Sequence, residues 1–257
     1  MNEPAPAGDG ALFEFVVRLG DNALVLGQRL SEWTGHGPVL EEDLALTNVA
    51  LDLIGQARLW LQYAAEAEGR GRSEDDLAYF RDAHQFRNVL LVEQLNGDYA
   101  RTTVRQFLFD VWHRELLKAL AASRDSRISA IAQKAAREVE YHLQRSADWV
   151  IRLGDGTEES HARTQRALDE LWPFTGELFR SDAVDAEMLQ RGAGCEFEAL
   201  RAPWHHRVLA VCTEATLVVP SDGWMQSGGK AGRHGEHFSY LLAEMQSVRR
   251  SIPGERW

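Results

Sequence analysis

Apolar residues recur at spacings of three and four through most of the first 155 positions, the signature of amphipathic helices. The first such segment runs from about Leu12 to Trp33, with Val16, Leu19, Ala23, Leu26, Leu30 and Trp33 on one stripe. The second follows Glu41-Glu42-Asp43, acidic residues that suit a helix N-terminus. Its stripe is Leu46, Val49, Ala50, Leu53, Ala57, Trp60, Leu61 and Ala64. A short helix is expected over Leu77–Leu91, and Asn96-Gly97-Asp98 then interrupts the chain. A third long helix is predicted over about Tyr99–Ala122 and a fourth over Ile128–Leu153, joined by Ser123-Arg124-Asp125. Ile128, Ala132, Ala135, Val139, His142, Leu143, Ser146 and Val150 should face inward on the fourth. Each long helix spans roughly 22–26 residues, or about 33–39 Å. Four amphipathic helices of matched length predict a four-helix bundle.

Beyond it, Gly154-Asp155-Gly156 should stop the fourth helix and Thr157 cap a fifth, which Pro173 should kink or end. The pattern weakens after Arg180. Further helices are expected over Glu198–Cys212 and from Phe238 to Val248, with a β-prone piece at Thr216–Pro220. The expected organisation is a disordered 1–10 and a single domain over 11–257. Within it, 11–155 form the bundle core and 156–257 the fifth helix and a C-terminal extension.

Composition narrows the class. Of 257 residues, 28 are basic and 39 acidic, a net charge of −11, which argues against non-specific nucleic-acid binding. Two cysteines, with no Cys-x-x-Cys, suit a reducing cytosol. No signal peptide and no apolar run long enough to span a bilayer is visible, so a cytoplasmic protein is expected. Eight tryptophans is a high count, and any left on a bundle's outside would mark a partner surface.

A carboxylate-bridged di-iron site in a bundle takes about four carboxylates and two histidines, typically with Glu-x-x-His on two helices. The one literal match, Glu158-x-x-His161, opens the fifth helix and suits capping. The second helix offers Asp52-x-x-Gly55, so a histidine is missing there, and Asn48, Asp52 and Gln56 form a polar stripe. The third has Asp110-x-x-His113; the fourth has Glu138 with Tyr141 at the histidine position and His142 one place later. The ligand count falls short. An inward His142 is expected to bond a carboxylate such as Asp52 or Asp110. Elsewhere, Lys230 and Arg233 in a Gly-rich loop could present cations to a phosphate, or be solvated charges. Gln85-Phe86-Arg87-Asn88 mixes hydrogen-bonding side chains with an aromatic and could form a contact loop or only a helix flank.

Several blocks together carry a wider likeness: RLGDNALVLGQRLSEWTGHGP, EEDLALTNVALDLIGQAR, QFRNVLLVEQLNGDYA, RQFLFDVWH, EVEYHLQRSADWVIRLGDGTEESH, LWPFTGELF and GGKAGRHGEHFSYLLAEMQ. In these the chain resembles the C subunits of bacterial phenylacetyl-CoA 1,2-epoxidases, the ring-oxygenating complexes of phenylacetate breakdown. The likeness covers nearly the whole chain, apart from the first ten residues and a stretch near Asp182–Pro203. It implies an all-α, ferritin-like fold and a non-catalytic companion of a catalytic A subunit that holds the di-iron centre. A hetero-oligomer, other oxygenase components and an electron-supplying reductase follow from the same resemblance, with no cofactor in this chain. It further implies contact with phenylacetyl-CoA at the interface through Gln85, Phe86, Arg87 and Asn88, and through Ala186, Glu187 and Met188. Two other readings stay open: a metal-dependent oxidase built on Asp52, Asp110, His113, Glu138 and His142, or a metal-free module binding CoA esters.

Overall fold

The computed structural model describes residues 9–252, all helix and loop, with no strand among them. Four long helices form the bundle: α1 (Gly10–Ser31), α2 (Leu40–Glu68), α5 (Tyr99–Leu120) and α6 (Ser126–Gly154). Between α2 and α5 the chain crosses the bundle through two short helices, α3 (Glu74–Tyr79) and α4 (Leu90–Glu93). Tight loops pair α1 with α2 and α5 with α6, and the single long crossover joins the pairs, the ferritin-like arrangement. Four more helices pack around the bundle: α7 (Glu158–Leu171) and α9 (Arg201–Glu214) against α5 and α6, α8 (Ala183–Gln190) against α1, and α10 (Phe238–Ser251) against α3 and α1.

The helices begin where side chains satisfy their free N–H groups. Asp9 caps α1, Asp98 caps α5, Asp125 caps α6 and Thr157 caps α7. Asp9 and Gly10 are therefore structured, which moves the expected boundary of a disordered 1–10; residues 1–8 lie outside the described residues. The stripes forecast for α2 and α6 are buried at every named position, and Trp33, which lies just past the end of α1, is only half-buried. Trp60, Trp112, Trp172 and Trp204 belong to the same core, whereas Trp224 is exposed.

Three expectations need correction. The helix forecast over Leu77–Leu91 is broken into α3, a 3-10 turn at Ala83–Gln85 and α4. Arg81 explains the break: its guanidinium is buried, bonds Leu77 O and Asp21, and lies 4.1 Å over the Phe86 ring. Thr216–Pro220 forms no strand; Thr216 adopts a left-handed φ of 57° and the segment runs as loop. Helix α8 adds to the forecast elements, and Asp182 and Asp185 build a capping box at its start. No helix among the described residues is long and apolar enough to cross a membrane.

Candidate functional site

Two places gather the buried polar groups that bear on the expected sites, and the first is the interior of the bundle. Where α2 meets α6, His142 Nε2 lies 3.0 Å from Asp52 Oδ2, and Gln56 donates to Glu138 at 2.8 Å. The expected His142–Asp52 bond is present, with His142 buried and Asp52 at the half-exposed margin. On α5, Asp110 is wholly buried and accepts from Gln106 at 2.6 Å and from Ser146 of α6 at 2.8 Å. Burial pushes its carboxyl up to about 6, against the opposing pull of the His142 charge and both hydrogen bonds. His113 is pushed down to about 3, first by burial and then by the charge of His142. Further along α6, Arg145 pairs with Glu42, which also accepts from the Tyr99 hydroxyl at 2.7 Å.

Two of the residues named as vacated metal positions are not inside the bundle. Gly55 is exposed, with nothing within 4 Å of where a Cβ would stand, so a histidine there would point outward. The buried stripe of α2 runs through Leu53, Gln56, Ala57 and Trp60, which turns residue 55 away. Tyr141 is 53% exposed, because one residue's rotation from buried His142 carries it to the outer face. Asn48 is exposed too, which leaves Gln56 as the buried member of that polar stripe. The interior donors are thus Asp110, His113 and His142, with Asp52 and Glu138 at the rim. This set does not fit a di-iron centre: one carboxylate is fully inside, and the others are already bonded to His142 and Gln56. No group of three or more His, Cys, Asp or Glu side chains among the described residues could hold a metal ion.

The second place is at the end of the bundle where the crossover, α8 and the Gly-rich loop meet. Phe86 is fully buried, edge-on to Phe238 at 5.6 Å. Asn88 is also fully buried and donates to Glu93 at 2.9 Å. Neither side chain faces outward, which corrects the picture of a four-residue contact loop. Gln85 is exposed and accepts from the Asp82 N–H, while half-buried Arg87 pairs with Glu14 at 2.8 Å. Likewise Met188 is buried, whereas Ala186 and Glu187 are exposed. Lys230 is no solvated cation either. Its ammonium bonds Asp185 at 2.9 Å and Arg180 O at 2.8 Å, and lies 4.2 Å over the Phe197 ring. Arg233 is exposed and has no ionic partner among the described residues.

Distant segments are nonetheless joined here by one ionic chain. Arg87 pairs with Glu14, Arg18 lies 3.6 Å from Glu14, and Arg18 reaches Asp182 at 2.8 Å and Asp185 at 3.1 Å. Lys230 closes the series on Asp185. Three cations face three carboxylates, so the network has no positive charge left over for a phosphate. Burial alone would raise the Asp182 carboxyl, but the Arg18 hydrogen bond and charge outweigh it and hold it low. Two buried carboxylates anchor the Gly-rich loop beside this chain. Glu177 accepts from the N–H groups of Leu90 at 2.9 Å and Gly228 at 2.7 Å. Glu93 accepts from Gly235 N–H and faces His234 Nδ1, each at 2.7 Å. Sequence periodicity has no means of joining Glu177 to Gly228, Glu93 to Gly235 or Arg18 to Asp185, which lie 51, 142 and 167 positions apart. Glu158-x-x-His161 proves to be helix-end chemistry, with His161 Nδ1 2.7 Å from Gly154 O.

The model of the phenylacetic acid catabolic protein family matches residues 2–257. The chain is 50% identical over 246 residues to the C subunit of 1,2-phenylacetyl-CoA epoxidase from Escherichia coli (strain K12), covering 96% of this chain and 99% of that one. Family and relative agree over essentially the full length, bundle and wrapping helices alike: the chain belongs to the phenylacetic acid catabolic protein family.

Proposed function

We propose that this chain is a structural, non-catalytic subunit of a cytoplasmic multicomponent di-iron monooxygenase that epoxidises phenylacetyl-CoA in aerobic phenylacetate catabolism. In this reading it stabilises a catalytic subunit that carries the iron, and a reductase supplies the electrons. The observation that carries the reading is the bundle interior. Four of the polar residues where α2 meets α6 are bonded in pairs, Asp52 to His142 and Gln56 to Glu138. Breaking such pairs to ligate a metal would leave buried partners uncompensated. The name of the 50% identical relative, a subunit of an epoxidase acting on phenylacetyl-CoA, supports the same assignment.

In the assembled enzyme the exposed Gln85, Ala186 and Glu187, with half-buried Arg87, would line the CoA ester at the subunit interface. Phe86, Asn88 and Met188 would support that rim from behind. Because Lys230 is committed to Asp185, Arg233 alone of the loop's two cations is left for a phosphate, which disfavours a free-standing CoA-ester module. Reconstitution tests the proposal. Catalytic subunit, reductase and phenylacetyl-CoA are assayed with and without this chain, and epoxidation is expected to require both subunits. Full activity of the catalytic subunit alone, or oxidation by this chain alone, would contradict it.

A further inference from the structure

A buried imidazole joins the Gly-rich loop to the crossover. The side chains of His234 and Glu93 are only 4% and 2% exposed. His234 Nδ1 lies 2.7 Å from Glu93 Oε2, and Nε2 lies 3.1 Å from the carbonyl oxygen of Phe86. A neutral imidazole has one N–H and one bare nitrogen, so it donates to a single one of two such partners. The Phe86 carbonyl can only accept. Glu93 is already an acceptor twice over, Oε2 taking the Asn88 amide at 2.9 Å and Oε1 the Gly235 N–H at 2.7 Å. Where a carboxylate and an imidazole share one proton, the imidazole is the stronger base. The ring therefore donates from both nitrogens, and the further bonds to Glu93 offset the desolvation of the buried pair.

The surroundings suit a cation on the ring. It is stacked on Phe238 with centroids 4.3 Å apart, an aromatic face that attracts positive charge. Arg233, the preceding residue, is exposed. Arg87 donates to the same Phe86 oxygen at 3.0 Å, and its charge is paired with Glu14. At Gly229 and Gly232 the loop also lies directly against the backbone of Asn88 and His84. His234 thus grips the stretch that the loop's glycines already touch.

We propose that His234 is a positioning residue: as the imidazolium bridging Glu93 and Phe86, it fixes the Gln85–Asn88 stretch in the shape that meets the CoA ester. The charge on the ring belongs to this chain alone, whereas its consequence for substrate rests on the function proposed above.

Two measurements test it. The first is NMR at neutral pH on the full chain, isotope-labelled at the ring nitrogens of its nine histidines, with His234→Gln assigning the ring by loss of its signals. Both His234 nitrogens are expected to carry a proton in the parent, and one is expected to be bare in Glu93→Gln. A bare nitrogen in the parent would overturn the proposal whether or not the variants fold. The second is steady-state kinetics of the reconstituted enzyme. His234→Gln and Glu93→Gln should each raise KM for phenylacetyl-CoA about 3- to 10-fold with a smaller change in kcat. The double variant should match either single change, because each alone breaks the same pair. An unchanged KM in variants with the parental helical circular dichroism would overturn the proposal, and so would additive effects. An enzyme that does not need this chain would contradict the proposed function and the positioning role together, while the ring signals would still decide the charge.

Discussion

Single buried groups decide how this bundle responds to pH. The folded pKa of Asp110, about 6, lies above that of an unfolded aspartate, so the folded chain takes up the proton first. The resulting advantage is fully present below about pH 4 and is lost as pH rises through about 6. His113 works the other way. Held down to about 3, it contributes stability that is present above about pH 6.5 and lost as pH falls. Asp110→Asn, which can keep its contacts to Gln106 and Ser146, should therefore be at least as stable as the parent at about pH 7.5. On going to about pH 5 the parent should gain on it by about 1–3 kcal/mol, read from denaturant unfolding at both pH values. A pH-independent difference would show that Asp110 does not titrate in the fold. Asp21 is a second residue-scale case: it is buried, faces the Arg81 guanidinium and accepts the Arg87 N–H at 2.8 Å. Asp21→Ala strands a buried guanidinium and should cost about 3–5 kcal/mol by chemical denaturation.

At the scale of elements, what the sequence makes legible is what repeats locally. The long helices of the bundle start within a few residues of their forecast positions, because stripe and cap are both local signals. The crossover departs from its forecast because its apolar residues have helical spacing, yet Arg81 and Asp21 hold it in another path from 60 positions apart. The Gly-rich loop is fitted by close backbone approach. A Cβ on Gly229 would lie 2.1 Å from Asn88 O, and one on Gly232, at φ +74°, would lie 2.1 Å from His84 O. Gly229→Ala should consequently cost about 2 kcal/mol or more, by forcing the backbones apart. Amide exchange should quicken at Leu90 and Gly228, the two N–H groups that Glu177 holds. If exchange there matched the parent, the loop would not be locked in this way.

The whole molecule shows how far a site can be read before its fold is known. The shortage of metal ligands is visible as spacing, and the apolar stripes of α2 and α6 already mark which residues face inward. Gly55 and Tyr141 hold the motif positions in sequence, and both lie outside the bundle, while Gln56 and His142 lie within. The stripe of each helix sets that orientation; what no single-helix pattern contains is which group of the facing helix each inward residue meets, His142 with Asp52 and Gln56 with Glu138. In the same way Lys230 looks like a free cation until Asp185, 45 positions earlier, is brought against it. In the proposed reading this bundle, with Asp52 bonded to His142 and Gln56 to Glu138, holds no iron of its own. Iron content tests that most directly, measured on the chain purified alone after anaerobic incubation with ferrous iron and removal of the excess. Well under one iron per chain is expected, unchanged by His142→Ala, a change that should lower stability alone. One or two irons per chain, lost on His142→Ala or Asp110→Asn, would contradict it and make this subunit a metal carrier.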